Sequence, residues 1–166
     1  MWKFSLLSLL FFTITVSHSI LLNFLSLEFL KVDLAIPFIV YSVFFDTPIF
    51  ALFVAVTFAL IQEGLTSCIG GTLLFSKSSV FLFAFFLRSR LYIESHYTFA
   101  ALCGITEVFE CIVVLGLSVF TEGKIQGVPN ILINLFPVAT FTAIFSIPIY
   151  FLILRLDRKY RETRWE

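Results

Sequence analysis

Charge is scarce in this 166-residue chain: 13% of its residues are Asp, Glu, Lys or Arg, about half the usual share of a soluble domain. A protein so poor in charge cannot cover its surface with polar groups, which excludes a soluble globular enzyme. An excess of one sign is also missing. Eleven basic residues cancel eleven acidic ones, and no basic face is large enough to track phosphates, so a nucleic-acid binder is excluded. Histidine occurs only at His18 and His96, in different segments. The sequence contains neither G-x-S-x-G nor H-E-x-x-H, and no other catalytic constellation is present, so no enzyme activity is expected. The three cysteines, Cys68, Cys103 and Cys111, match no zinc or haem spacing, and an odd number closes no disulfide framework. They read as small buried hydrophobes. No polar stretch is long enough for a separate soluble domain, so residues 1–166 are read as one membrane domain.

What the chain has is apolar surface. Apolar residues make up 60% of it, Phe alone contributes 23, and the mean hydropathy is +1.04. Lipid is the solvent that suits such a chain. The expected fold is an all-α polytopic membrane protein, with about six transmembrane helices in one bundle and both termini cytoplasmic. Spans are read at 4–27, 33–45, 48–62, 69–87, 97–121 and 130–154, followed by a basic tail at 155–166. As one helix, the run Leu34–Ile61 would be ~42 Å long against a hydrocarbon core of ~30 Å. Asp46-Thr47-Pro48 breaks it, because Pro48 lacks a backbone donor and disfavours helix at Thr47. Two short spans are therefore read there, with one tilted helix and five spans in all as the alternative.

The charges support this topology. Lys3, Arg88, Arg90, Arg155, Arg158, Lys159, Arg161 and Arg164 fall on the cytoplasmic side, and Lys31 and Lys124 on the other. Trp2 and Trp165 take interfacial positions. Lys3, the apolar run after it and Ser17-His18-Ser19 also fit a signal peptide. Because the apolar run resumes at Ile20, this segment is read as a retained span. Its polar residues, Thr13 to Asn23, suit contact with another helix.

Glu107 and Glu110 are the most expensive residues. A carboxylate at the bilayer centre costs ~2.5–3.5 kcal/mol on insertion scales. Three apart on one helix, they share a face with His96, Ala100, Cys103 and Val114. They cannot face lipid, and their mutual repulsion leads us to expect one or both to be neutral at pH 7. Three roles stay open: a structural contact in the bundle or with another membrane protein, a proton or substrate relay, or a metal site with Cys103 or Cys111. Glu63 closes the third span, ahead of a glycine-bearing hairpin, Gly64 to Thr72, that reads as a tight turn, a partner contact or a selectivity loop. Lys77 is placed to snorkel outward and neutralise Glu63. Pro137 and Pro148 lie within ~20° of one another around the last helix, which predicts two bends in a similar direction.

Several of these features occur in an order that resembles the rod shape-determining MreD family. Val32-Asp33-Leu34 looks like that family's P-D-L. Glu63-x-x-Thr66-Ser67-x-x-x-Gly71 looks like its acidic residue and Ser-Gly-x-x-x-Gly-like hairpin, with Glu for Asp and Thr-Ser for Ser-Gly. Arg88 to Ser95 is similar to its basic loop, Val108-Phe109-Glu110 to its acidic position in span five, and Leu154 to Lys159 to its basic exit. The resemblance implies a non-enzymatic scaffold of the bacterial inner membrane, without a cofactor, in the cell-wall elongation complex. Its partners would be an MreC-like bitopic protein, an MreB-like actin filament, a RodA-type glycosyltransferase and a transpeptidase. Glu107, Glu110, Glu63, Thr66, Ser67 and Gly71 would meet partners in or near the bilayer. Arg88, Arg90, Arg155, Arg158 and Lys159 would face the filament. The alternative is a transport component, such as the substrate-binding subunit of an energy-coupling-factor vitamin transporter, in which the acids and hairpin would enclose a small molecule.

Overall fold

The structure is a computed structural model that describes the backbone of residues 33–65, 70–122 and 128–162, and the side chains of 33–65, 70–120 and 135–155. The first expected span, Thr66, Ser67 and the side chains of Arg158 and Lys159 lie outside the described residues. Within them the regular structure is all helical: α1 (Ala35–Phe45), α2 (Pro48–Leu65), α3 (Thr72–Arg88), α4 (His96–Glu122) and α5 (Val128–Glu162).

Local chemistry sets the helix ends. The Asp33 carboxylate accepts the free Ala35 N–H at 2.8 Å and starts α1. Pro48, at the first position of α2, loses no intrahelical bond there. Gly71 takes a φ of +91°, open to glycine, immediately before α3. Ser95 Oγ accepts the Thr98 N–H and starts α4. The break expected at Asp46-Thr47-Pro48 is present, and two helices stand where one long one was the alternative.

Among the described residues, three helices, α2, α4 and α5, carry segments long and apolar enough to cross a membrane. With 11 residues, α1 covers most of the segment expected at 33–45 and is ~16 Å long, about half a hydrocarbon core. The last helix runs on to Glu162, well beyond the expected boundary at Leu154, and continues through both prolines. Pro137 and Pro148 are both exposed, and so lie on one outward side of the helix, in keeping with their angular spacing.

The short helix occupies the interior. Residues 35–43 are buried without interruption, and α1 packs against α2, α3, α4 and α5. Around it, α2 turns Ala51, Ala55, Phe58 and Ala59 inward and Ile49, Leu52, Phe53 and Leu60 outward. Small residues at four-residue spacing let helix axes approach closely where lipid offers no hydrophobic drive to associate. The same device joins α4 to α5. A Cβ on Gly104 would sit 3.4 Å from the Ala143 Cβ and 3.5 Å from the Ala139 carbonyl oxygen.

One end of the bundle is basic and aromatic. Arg88 Nη1 donates to the carbonyl oxygens of Val43 (2.6 Å) and Asp46 (3.2 Å), which closes the carboxyl end of α1. His96 packs on Phe151, and Tyr150 lies among Tyr41, Phe45 and Phe99, with ring centroids 4.8–6.4 Å away. Arg90 and Arg155 are exposed at this end.

Candidate functional site: a charged layer inside the bundle

Counting residues from the basic end places the charges at a common height. Lys77 is eleven residues before Arg88 on α3, and Glu107 eleven after His96 on α4. Both are ~16 Å along their helices, and Glu110 is one turn further. Asp33 stands at the opposite end of α1 from Asp46, ~20 Å away at helical rise. Three helices, α1, α3 and α4, thus bring their ionisable groups to one level, ~16–21 Å from the basic end against a ~30 Å core.

The contacts confirm that level. Lys77 is completely buried, and its ammonium donates to Asp33 Oδ2 and to Glu110 Oε1. Asp33 is fully engaged, since its Oδ1 accepts from the Ala35 N–H and from Gln62 Nε2 at 3.0 Å. Ser76 Oγ donates to Glu110 Oε1 at 3.0 Å. Thr142 Oγ1 on α5 donates to Glu107 Oε2 at 3.0 Å. Only 4% of Glu107 and 6% of Glu110 is exposed. Every described helix therefore contributes to the layer: α1 through its cap, α2 through Gln62, α3 through Ser76 and Lys77, α4 through both glutamates and α5 through Thr142. Burial of an ion pair strengthens the attraction and raises the cost of losing either partner.

Two sequence-based expectations change. Lys77 does not snorkel toward Glu63. It points into the core, because two carboxylates there compensate its desolvation better than one at the edge. Glu63 instead binds its own hairpin, accepting the Gly71 N–H. The inward stripe on α4 is observed, with Ala100, Cys103, Glu107 and Glu110 all buried. Asp33, singled out only within Val32-Asp33-Leu34, turns out to anchor the layer. The matching eleven-residue offsets of Lys77 from Arg88 and of Glu107 from His96 were the available signal for the shared level of those two residues.

The other candidates are dispersed. Glu63 and Gly71 meet at the hairpin on the far side of the layer from Arg88. Arg88 is partly buried against α1 rather than presented to solvent, whereas Arg90 and Arg155 are exposed. The orphan in the layer is Glu110 Oε2, a buried oxygen with no hydrogen-bond partner among the described residues. Among the same residues, no three Asp, Glu, His or Cys side chains are grouped as metal ligands. This arrangement can lock five helices in register, and one carboxylate oxygen retains spare acceptor capacity. In comparisons with known proteins, no family model, curated protein or solved structure matches the chain.

Proposed function

We propose that the chain is a non-enzymatic integral-membrane scaffold whose rigid bundle presents surfaces to other membrane proteins. The observation that carries this reading is the use of Lys77: one buried ammonium joins the α1 cap to α4, and Gln62, Ser76 and Thr142 extend the network to the remaining described helices. Polar groups engaged in this way fix a shape. They lie inside the bundle, so Glu107 and Glu110 influence a partner through the bundle's form, while apolar helix faces and the two ends make the contacts.

The resemblance to the MreD family supplies the finer reading. In it the protein sits in a bacterial inner membrane, with the basic end toward the cytoplasm, as a component of the elongation complex. An MreC-like bitopic protein would dock along the helices or at the Glu63–Gly71 hairpin. Arg90 and Arg155, with Arg158 and Lys159, would face an MreB-like filament, and RodA-type glycosyltransferase and transpeptidase partners would share the membrane. Affinity purification from native membranes, read by mass spectrometry, tests this. Recovery of a bitopic partner and wall-synthesis enzymes supports it; recovery of nucleotide-driven transport subunits overturns it.

The orphaned Glu110 Oε2 favours one rival, a small-molecule transport component. A panel of vitamins in a thermal-shift assay separates the two. A large shift with one compound is expected of a transport subunit, and stabilisation only by a bitopic protein of a scaffold.

A further inference from the structure

The charge count of the buried layer does not close. Asp33, Glu107 and Glu110 supply three acids and Lys77 a single base. Asp33 is satisfied by three donors, and Lys77 is shared between Asp33 and Glu110. That leaves an excess of two negative charges if every acid is ionised, at a depth where even one uncompensated charge is expensive. The excess lies on the α4 side. Glu107 and Glu110 are one helical turn apart, and Glu110 Oε2 is buried without a donor.

We infer that the Glu107–Glu110 end of the layer binds a single positive charge, either a sodium ion or a proton, and that its occupancy completes the helix lock. The donor set is suitable: two carboxylates together with the hydroxyl oxygens of Ser76 and Thr142, hard ligands of the kind that hold a small hard cation. The grouping of side chains does not make a multidentate carboxylate site for a divalent metal. The groups around the site are known on every described helix. α1 brings Asp33 at its start, α2 the neutral Gln62, and α3 Lys77 with Ser76. α4 adds Cys103 and Cys111 to its two glutamates, and α5 adds only the hydroxyls of Thr142 and Ser146. Among the described residues no second base approaches, so the bound charge must come from outside this set, and it lowers the excess from two negative charges to one. The inference is independent of the scaffold reading, since a transport subunit could carry the same site.

The test uses the full chain, purified in detergent, and its unfolding temperature. The first arm replaces choline chloride with sodium chloride at constant ionic strength, near pH 9. The second lowers the pH from about 9 to about 6 in choline alone, with infrared difference spectra recording protonated carboxyl groups. A bound positive charge stabilises the folded state, so stability rises with sodium or rises as pH falls. The expected shift is about 5 °C in one arm, lost or strongly reduced in Glu110→Gln. A response to sodium identifies the ion; a response to pH with a protonated-carboxyl band, weakened in Glu107→Gln or Glu110→Gln, identifies the proton. If the wild-type chain responds in neither arm and shows no such band, the inference is overturned. It is equally overturned if Glu110→Gln responds as strongly as wild type. Should the glutamine variants fail to fold, the two wild-type arms and the infrared band still decide.

Discussion

Helices α1 and α2 are neighbours in sequence, are joined by a two-residue turn and look equally apolar, yet they occupy opposite environments. In α1, nine of eleven residues are buried; in α2, four of eighteen. The apolar character of a segment therefore says that it avoids water, and leaves open whether protein or lipid surrounds it. What separates the two is at their ends and in their small residues. Polar side chains hold α1 at both ends, Lys77 through Asp33 and Arg88 through the Val43 and Asp46 carbonyls. α2 has one alanine-lined face for protein and large residues on the other face for lipid.

Four substitutions would break or sharpen that contrast. Lys77→Met removes the only base from the layer and strands two carboxylates, so it should cost about 3–5 kcal/mol and lower the unfolding temperature most. Combined with Asp33→Asn and Glu110→Gln it should recover much of that loss, because Lys77 and both of its carboxylate partners then lose their charge together; a triple-mutant cycle in detergent measures this. Arg88→Gln loosens the other end of α1 and should cost about 1.5–3 kcal/mol, read as faster proteolysis or label uptake near Asp46. Ala55→Leu overpacks the inner face of α2 by three carbons and should cost about 1–3 kcal/mol. Leu52→Ala, on the outer face of the same helix, should change stability by no more than about 0.5 kcal/mol. Equal effects of the two α2 substitutions would mean that the inner and outer faces are wrongly assigned.

The chain announced much of this design. Pro48 marked the break between α1 and α2, and the prohibitive cost of Glu107 and Glu110 in lipid put them inside. The pairing of Lys77 was not legible from proximity in sequence, since Glu63 lies closer along the chain than Asp33 or Glu110. Three-dimensional pairing depends on height within the bundle, which becomes readable only when each helix is measured from a common end. The start of α1 was legible, since Lys31 and Asp33 interrupt the apolar run just before Ala35 and the expected span began at Asp33.

The clasp of Arg88 on the carboxyl end of α1 has a consequence for how the protein is made. α1 is synthesised before α3, yet its terminal carbonyls and the Asp33 carboxylate find their cationic partners only on α3. Half a bilayer in length and polar at both ends, it is a poor candidate for independent insertion. The contacts that hold it can form only once α3 has been made, so an early segment is completed by a later one.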